Sequence, residues 1–263
     1  MIDIRQGDNV TELRAMPDEC IDLTVTSPPY DNLRNYGGHT WDFENLAREL
    51  YRVTKRGGVV VWVVADATIK GSETGTSFRQ ALYFMECGFN LHDTMIYRVN
   101  GVGAKGSNLA YWQEFEYMFI LSKGRANTLN LLRDRKNKQS VNFSKGRNTK
   151  RSGESVNPTI VAPNEFSKRG NVWTYNVGFT SGDSSTSHPA PFPEALARDH
   201  ILSWSNEGDT VLDPFAGSGT TLKMAAMLKR NAIGIEIHAP YIEIIKARLA
   251  QLETAQTAPL FEV

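Results

Sequence analysis

Two stretches of the chain carry residue types that could do chemistry together. The first is Ser27-Pro28-Pro29-Tyr30. Paired prolines fix φ and remove two N–H donors, so this loop is stiff and presents carbonyl oxygens. With a hydroxyl before them and an aromatic ring after, the segment suits a planar molecule that donates hydrogen bonds through an amino group. A strand ending in a proline turn with a surface tyrosine is the simpler alternative. The second stretch is Asp213-Pro214-Phe215-Ala216-Gly217-Ser218-Gly219-Thr220-Thr221. Its glycines permit a tight turn and let a ligand come against the main chain. The helix expected next opens with unpaired N–H groups and a partial positive charge, suited to an anion. Glu236 ends the following strand, 23 residues after Asp213. That is close to the roughly 20-residue gap by which a dinucleotide-binding βαβ unit sets a carboxylate beside a ribose. No Gly-Lys-Ser/Thr follows the glycines, which argues against a P-loop. The bland alternative is a strand–turn–helix with glycines kept for packing.

The elements that must position these loops are legible as alternating patterns. Short β-branched or apolar runs predict strands at 1–4, 21–26, 59–64, 94–98, 116–121, 210–212 and 232–237. Apolar residues at helical spacing predict helices at 10–16, 41–54, 78–87, 194–204, 222–229 and 241–252, the second closed by a glycine stop at Lys55-Arg56-Gly57-Gly58. Strands alternating with helices imply an α/β fold, a mostly parallel sheet with helices on both faces. The position of the glycine loop is unusual. A nucleotide-type βαβ unit ordinarily opens its domain, yet this one begins after residue 205, so earlier strands must belong to the same sheet.

The length of 263 residues is enough for one large domain or a domain with an insertion, and 41% hydrophobic with 22% charged residues is ordinary for a soluble globular chain. A formal net charge of zero leaves only a local patch to attract a polyanion. Cys20 and Cys87 are isolated, without a metal-ligand pattern, and a reducing cytoplasm is the expected location. No apolar run reaches the length of a membrane span. From 122 to 187 the character changes. Between 123 and 151, Lys123, Arg125, Arg133, Arg135, Lys136, Lys138, Lys145, Arg147, Lys150 and Arg151 stand against one acid, Asp134, and Phe143, Phe166, Trp173, Tyr175 and Phe179 are sparse aromatic anchors of the whole stretch. Contact with nucleic-acid phosphates is the functional reading, and a solvated insertion the bland one.

A Ser-Pro-Pro-Tyr loop, a basic stretch, His188-Pro189-Ala190-Pro191-Phe192-Pro193 and then the glycine loop: this order resembles the β-class of DNA amino-methyltransferases. The resemblance covers most of the chain. It implies a Rossmann-like class I methyltransferase fold with permuted motif order, its catalytic domain in two halves (1–121 and 188–253), a target-recognition insertion at 122–187 and a tail at 254–263. It also implies S-adenosylmethionine as cofactor, held by Asp213 through Thr221, with Glu236 on the ribose, Asp8 near the adenine, and His188 and Pro189 near the methionine end. Ser27, Pro28, Pro29 and Tyr30 would then be catalytic. Ser27 Oγ and the Pro28 carbonyl would accept the two N–H bonds of an exocyclic amine, and Tyr30 would stack on a base flipped out of double-stranded DNA. No cysteine follows a proline, so a covalent ring-carbon route is not expected. A serine in first place leans the target to cytosine N4, with adenine N6 the alternative. An RNA or protein amino-methyltransferase and an inactive nucleic-acid binder are further rivals. A homodimer and a cognate restriction endonuclease are partners that this family allows.

Overall fold

The structure is a computed structural model that describes residues 1–29, 41–100, 111–137, 148–149, 155–156, 164–176 and 193–257. It divides into two compact units: 1–130 with 171–263, and 131–170.

The first unit is built on one eight-stranded sheet. In chain order its strands are β1 (Ile2–Gln6), β2 (Ile21–Thr26), β3 (Thr54–Val64), then, after the small hairpin β4 (Thr68–Ile69) and β5 (Ser72–Glu73), β6 (Asn90–Asn100) and β7 (Phe115–Ser122). Four two-residue strands intervene: β8 (Arg135–Lys136), β9 (Asn148–Thr149), β10 (Ser155–Val156) and β11 (Phe166–Ser167). The last three strands of the large sheet are β12 (Val172–Asn176), β13 (Thr210–Asp213) and β14 (Asn231–Glu236). Their spatial order is β1-β14-β13-β2-β3-β7-β6-β12. All neighbours are parallel except that β7 runs against β3 and β6. The run Val59–Val64 is buried at every position, as a central strand covered on both faces must be.

Among the described residues six helices cover the sheet: α1 (Asn9–Arg14), α2 (Phe43–Val53), α3 (Thr76–Glu86), α4 (Glu194–Trp204), α5 (Thr220–Met227) and α6 (Ala239–Thr257). The helices α1, α2 and α3 pack together, and so do α4, α5 and α6. From β2 the chain crosses through α2 to β3 on one side. From β13 it crosses through α5 to β14 on the other. Right-handed crossovers in opposite directions put α2 and α5 on opposite faces and leave a crevice between β2 and β13 at their carboxyl ends.

The helix α2 shows why sequence patterning finds its face and misreads its end. Asp42 caps it by accepting from Asn45 N–H at 3.1 Å, and Leu46, Ala47, Leu50 and Val53 are buried. The expected glycine stop is not one. The helix ends at Val53, Thr54 turns extended with its Oγ1 donating to Leu50 O at 2.6 Å, and Lys55 to Gly58 belong to β3. Gly57 stands at φ 84° beside the register shift between β2 and β3, where an added Cβ would lie 2.1 Å from the Asn127 side chain. Its glycine therefore serves a bulge in the strand.

Gly234 on β14 is required for a different reason, since a Cβ there would meet Leu222 Cδ2 at 2.6 Å in the interior. Gly234→Ala is expected to cost about 1–3 kcal/mol through overpacking, read as a lower urea midpoint with unchanged m.

The second unit is narrower than the 122–187 stretch expected from composition. Within it Phe166 and Ser167 pair antiparallel with Lys136 and Arg135, and an Arg169–Asp134 ion pair braces the same segment. The aromatic residues expected there are divided differently. Trp173 and Tyr175 lie on β12, parallel to β6 in the large sheet. Trp173 is buried against His200, with ring centroids 4.6 Å apart, and Tyr175 OH donates to Asp199 Oδ2 at 2.7 Å. The run Val172–Asn176 is short and follows the basic stretch, which hides it in composition. Phe143 and Phe179 lie outside the described residues. Among the described residues no helix is long and apolar enough to cross a membrane.

Candidate active site

The two loops singled out by residue type leave the sheet side by side. Leu23 and Thr24 of β2 are paired with Val211 and Leu212 of β13, so both strands end at the same edge. There Thr26 Oγ1 donates to Asp213 Oδ1 at 2.7 Å. The next residues are Ser27 and Pro28 on one strand and Pro214 and Phe215 on the other. A second tie runs behind them, from Thr221 Oγ1 at the start of α5 to Val25 O, 3.2 Å. Pro28 is buried, and Ser27 and Pro29 are half-buried. Tyr30, His188 and Pro189 lie outside the described residues.

The glycine loop is held mostly by its own backbone. Phe215 N–H donates to Asp213 Oδ1 (3.1 Å), Ala216 N–H to Ile235 O (2.9 Å) and Gly219 N–H to Ala216 O (2.7 Å). Both Gly217 and Gly219 sit at positive φ, 51° and 80°, a backbone that a side chain would strain. The Phe215 ring packs edge-on to Trp41, centroids 5.1 Å apart, and near Trp62 at 6.3 Å. The hydroxyls of Ser218, Thr220 and Thr221 are buried. Across the loop, Glu236 accepts from Gly217 N–H at 2.8 Å through Oε2 and from His238 N–H at 2.9 Å through Oε1. A carboxylate has about four acceptor sites, so capacity remains for a further donor. Burial pushes the Glu236 carboxyl up, while the His238 and Gly217 amides pull it down.

Asp8 reaches the same edge, since Gly7 N–H donates to Glu236 O at 3.0 Å. Its own carboxylate caps α1, accepting from Thr11 N–H and Thr11 Oγ1, both at 2.9 Å. The residue after it was not anticipated. Asn9 is buried, its Nδ2 donates to Pro214 O at 3.4 Å, and its Oδ1 has no partner among the described residues. A buried amide oxygen without a donor is costly unless a ligand supplies one. The only hint in the sequence is its place directly after Gly7-Asp8. An orphaned acceptor against the loop and a carboxylate with acceptor capacity to spare on the neighbouring strand fit an adenosyl group, which brings an amino donor and a ribose diol.

Asp213 is buried, and that burial holds its carboxyl up at about 6, against hydrogen bonds from Thr26 Oγ1 and Phe215 N–H that lower it. The neutral form is therefore favoured by folding. Its contribution is complete below the usual 3.8 and is lost as pH rises through about 6. Wild-type stability to urea should fall by roughly 3 kcal/mol over that window, and Asp213→Asn should flatten the profile. An equal slope in both proteins would show that Asp213 is ionised throughout.

The described basic residues divide between the two units. Lys123 is at the opposite edge of the sheet, beyond the Ser122–Val59 pair where β3 begins its buried run. Its Nζ donates to Tyr51 O and Thr54 O, both at 2.9 Å, pairs with Glu19 at 3.1 Å and lies 4.7 Å from the Tyr51 ring centroid. That ammonium is engaged by the fold. Arg125 is exposed near that same edge. Arg133, Arg135 and Lys136 are exposed in the second unit, while Lys138, Lys145, Arg147, Lys150 and Arg151 lie outside the described residues. Cys20 and Cys87 pack against the hydrophobic core, and burial pushes both thiols up, the reverse of an activated nucleophile.

Comparison with known proteins places this arrangement. A sequence profile described as DNA methylase matches residues 21–247. Over 235 residues the chain is 58% identical to the orphan methyltransferase M.BamHII of Bacillus amyloliquefaciens, covering 87% of this chain and 88% of the relative. It is 29% identical to the DNA adenine methyltransferase YhdJ of Escherichia coli (strain K12), covering 94% and 82%. In three dimensions it is similar to TTHA0409 of Thermus thermophilus, a putative DNA modification methylase complexed with S-adenosyl-L-methionine, with a TM-score of 0.64, 25% identity and 95% of each chain covered. The chain belongs to the DNA methylase family, a family of enzymes that use S-adenosylmethionine.

Proposed function

We propose that this protein methylates an exocyclic amino group of a base flipped out of double-stranded DNA, with N4 of cytosine as the target. The observation that carries the reading is the Thr26–Asp213 bond of 2.7 Å, which starts the Ser-Pro-Pro loop and the glycine loop from adjacent strand ends. S-adenosylmethionine supplies an electrophilic methyl group. Glu236 would accept from its ribose hydroxyls, Asn9 Oδ1 from its adenine amino group, and the turn at Gly217 to Gly219 would receive its chain.

The acceptor amine is a weak nucleophile because its lone pair is delocalised into the ring. Ser27 Oγ and the Pro28 carbonyl, accepting its two N–H bonds, favour a pyramidal nitrogen with the lone pair directed at the methyl group. The stiff proline backbone holds both acceptors in place before the base arrives, so most of the gain comes from positioning. Tyr30, directly after the prolines, would stack on the flipped base. Arg133, Arg135 and Lys136, with the basic residues that follow them, would meet phosphates.

The serine in first place supports cytosine N4, while the name of YhdJ keeps adenine N6 as the competing outcome. The name of M.BamHII supports a solitary role without a paired nuclease. The test is to incubate the purified protein with labelled S-adenosylmethionine and unmethylated duplex DNA, digest the product and separate its nucleosides. N4-methylcytosine is expected. N6-methyladenine would move the target, and unlabelled DNA would end the assignment.

A further inference from the structure

The turn at Ser218, Gly219 and Thr220 lacks a cap of its own. Gly219 stands at the start of α5 in the left-handed region, and no side chain from that position bonds the first turn of the helix. Support comes from behind, from a residue 28 positions further along the chain. Arg248 on α6 donates from Nη1 to Ser218 O (2.7 Å), to Ser218 Oγ (3.1 Å) and to Thr220 Oγ1 (3.3 Å). Its Nη2 donates to Glu194 Oε1 at 2.7 Å. The same oxygen takes Lys223 Nζ of α5 at 2.6 Å. The guanidinium side chain is only 8% exposed.

This choice of residue has a physical reason. A planar fork can reach the loop with one nitrogen and Glu194 with the other at fixed geometry, which an ammonium on a flexible stem cannot do. Enclosing a guanidinium is costly unless a carboxylate accompanies it, and Glu194 meets that need. The charge also lies beside the amino end of α5, where a cation is otherwise disfavoured. A single salt bridge for stability could have been placed at less cost on the surface. Set here, it joins the first residue of α4, the opening of α5 and the last helix at the back of the loop.

We propose that Arg248, held by Glu194, is a positioning residue that fixes the Ser218–Thr220 turn in the shape that receives S-adenosylmethionine. It acts through the loop and does not touch the donor. The proposal rests on the reading that this loop holds the donor, and the experiment separates the two. Donor affinity would be measured calorimetrically on the whole protein, and KM for the donor and kcat on unmethylated duplex DNA by methyl incorporation. The proteins compared would be wild type, Arg248→Met, Arg248→Lys and Glu194→Gln.

Arg248→Met is expected to raise Kd and KM for the donor at least roughly tenfold, the scale of one lost charge-assisted hydrogen bond. At saturating donor, kcat should stay within about threefold. Arg248→Lys keeps the charge without the fork and should recover only part of the loss. Glu194→Gln should weaken donor binding in the same direction, and combining it with Arg248→Met should add little. A folded Arg248→Met protein with wild-type Kd and a lowered melting temperature would reduce Arg248 to a structural brace and overturn the proposal. If that variant does not fold, wild-type Kd in both Arg248→Lys and Glu194→Gln would overturn it equally. Absence of donor binding in the wild type would instead overturn the underlying reading.

Discussion

Ser27→Ala is expected to lower kcat for methyl transfer by roughly 10²–10³-fold, the effect of removing one positioned partner of a developing charge in a dry site. The substitution takes away a hydroxyl of a half-buried residue and leaves the buried Pro28 beside it. The bond between Thr26 and Asp213 that sets the strand ends is untouched. Donor affinity should therefore stay at its wild-type value. The combination is diagnostic, because damage to the fold would lower both quantities. The measurement is single-turnover methyl incorporation beside calorimetric titration of S-adenosylmethionine. Full turnover in Ser27→Ala would remove the serine from the mechanism and leave the Pro28 carbonyl as the acceptor.

Glu236→Gln should act on the other substrate. The carboxylate now accepts from Gly217 N–H and His238 N–H, at 2.8 and 2.9 Å, with acceptor capacity to spare. Glutamine has the same length but offers one oxygen in place of two, so its NH₂ group faces an amide that must also donate. Either the loop amide or the ribose diol loses its partner. At about 1.5–3 kcal/mol for each hydrogen bond to a charged group, Kd for the donor should rise by on the order of 100-fold. Retained kcat at saturating donor would show that the catalytic loop is intact. An unchanged Kd would mean that Glu236 only braces Gly217.

Much of this site was legible from local residue types because each half of it is local. A β-branched run bounded by Pro17 on one side and two prolines on the other leaves little doubt about β2, and the observed strand has the anticipated ends, Ile21–Thr26. The glycine loop announces itself in the same way. What local patterns could not supply was the partner of a charge. Lys123 reads as one more cation in a basic run, yet its partners are Glu19, Tyr51 and Thr54, brought to it by β7 running against β3. Asn9 was missed because an orphaned amide oxygen exists only once Pro214 is folded against it. Arg248 was missed for a related reason. On a helix with Ile244 and Ile245 toward the core it looks like a solvated charge, and only the packing of α6 behind the loop gives it four acceptors. Composition misled most where β12 was concerned, because the short run Val172–Asn176 was taken together with the basic stretch that precedes it.

The placing of β1 bears on how the chain is made. Among the described residues that strand pairs with β14 alone, in parallel, and the amino group of Met1 donates to Asn231 Oδ1 at 2.8 Å across 230 positions of chain. On the ribosome β1 must wait for β14 before it has a neighbour, and β2 waits nearly as long for β13. Such distant closure slows folding and prolongs exposure of apolar edges. The glycine loop therefore gains its full surroundings only once β14 is made, and cutting the chain in the middle yields two fragments that each lack a bordering strand.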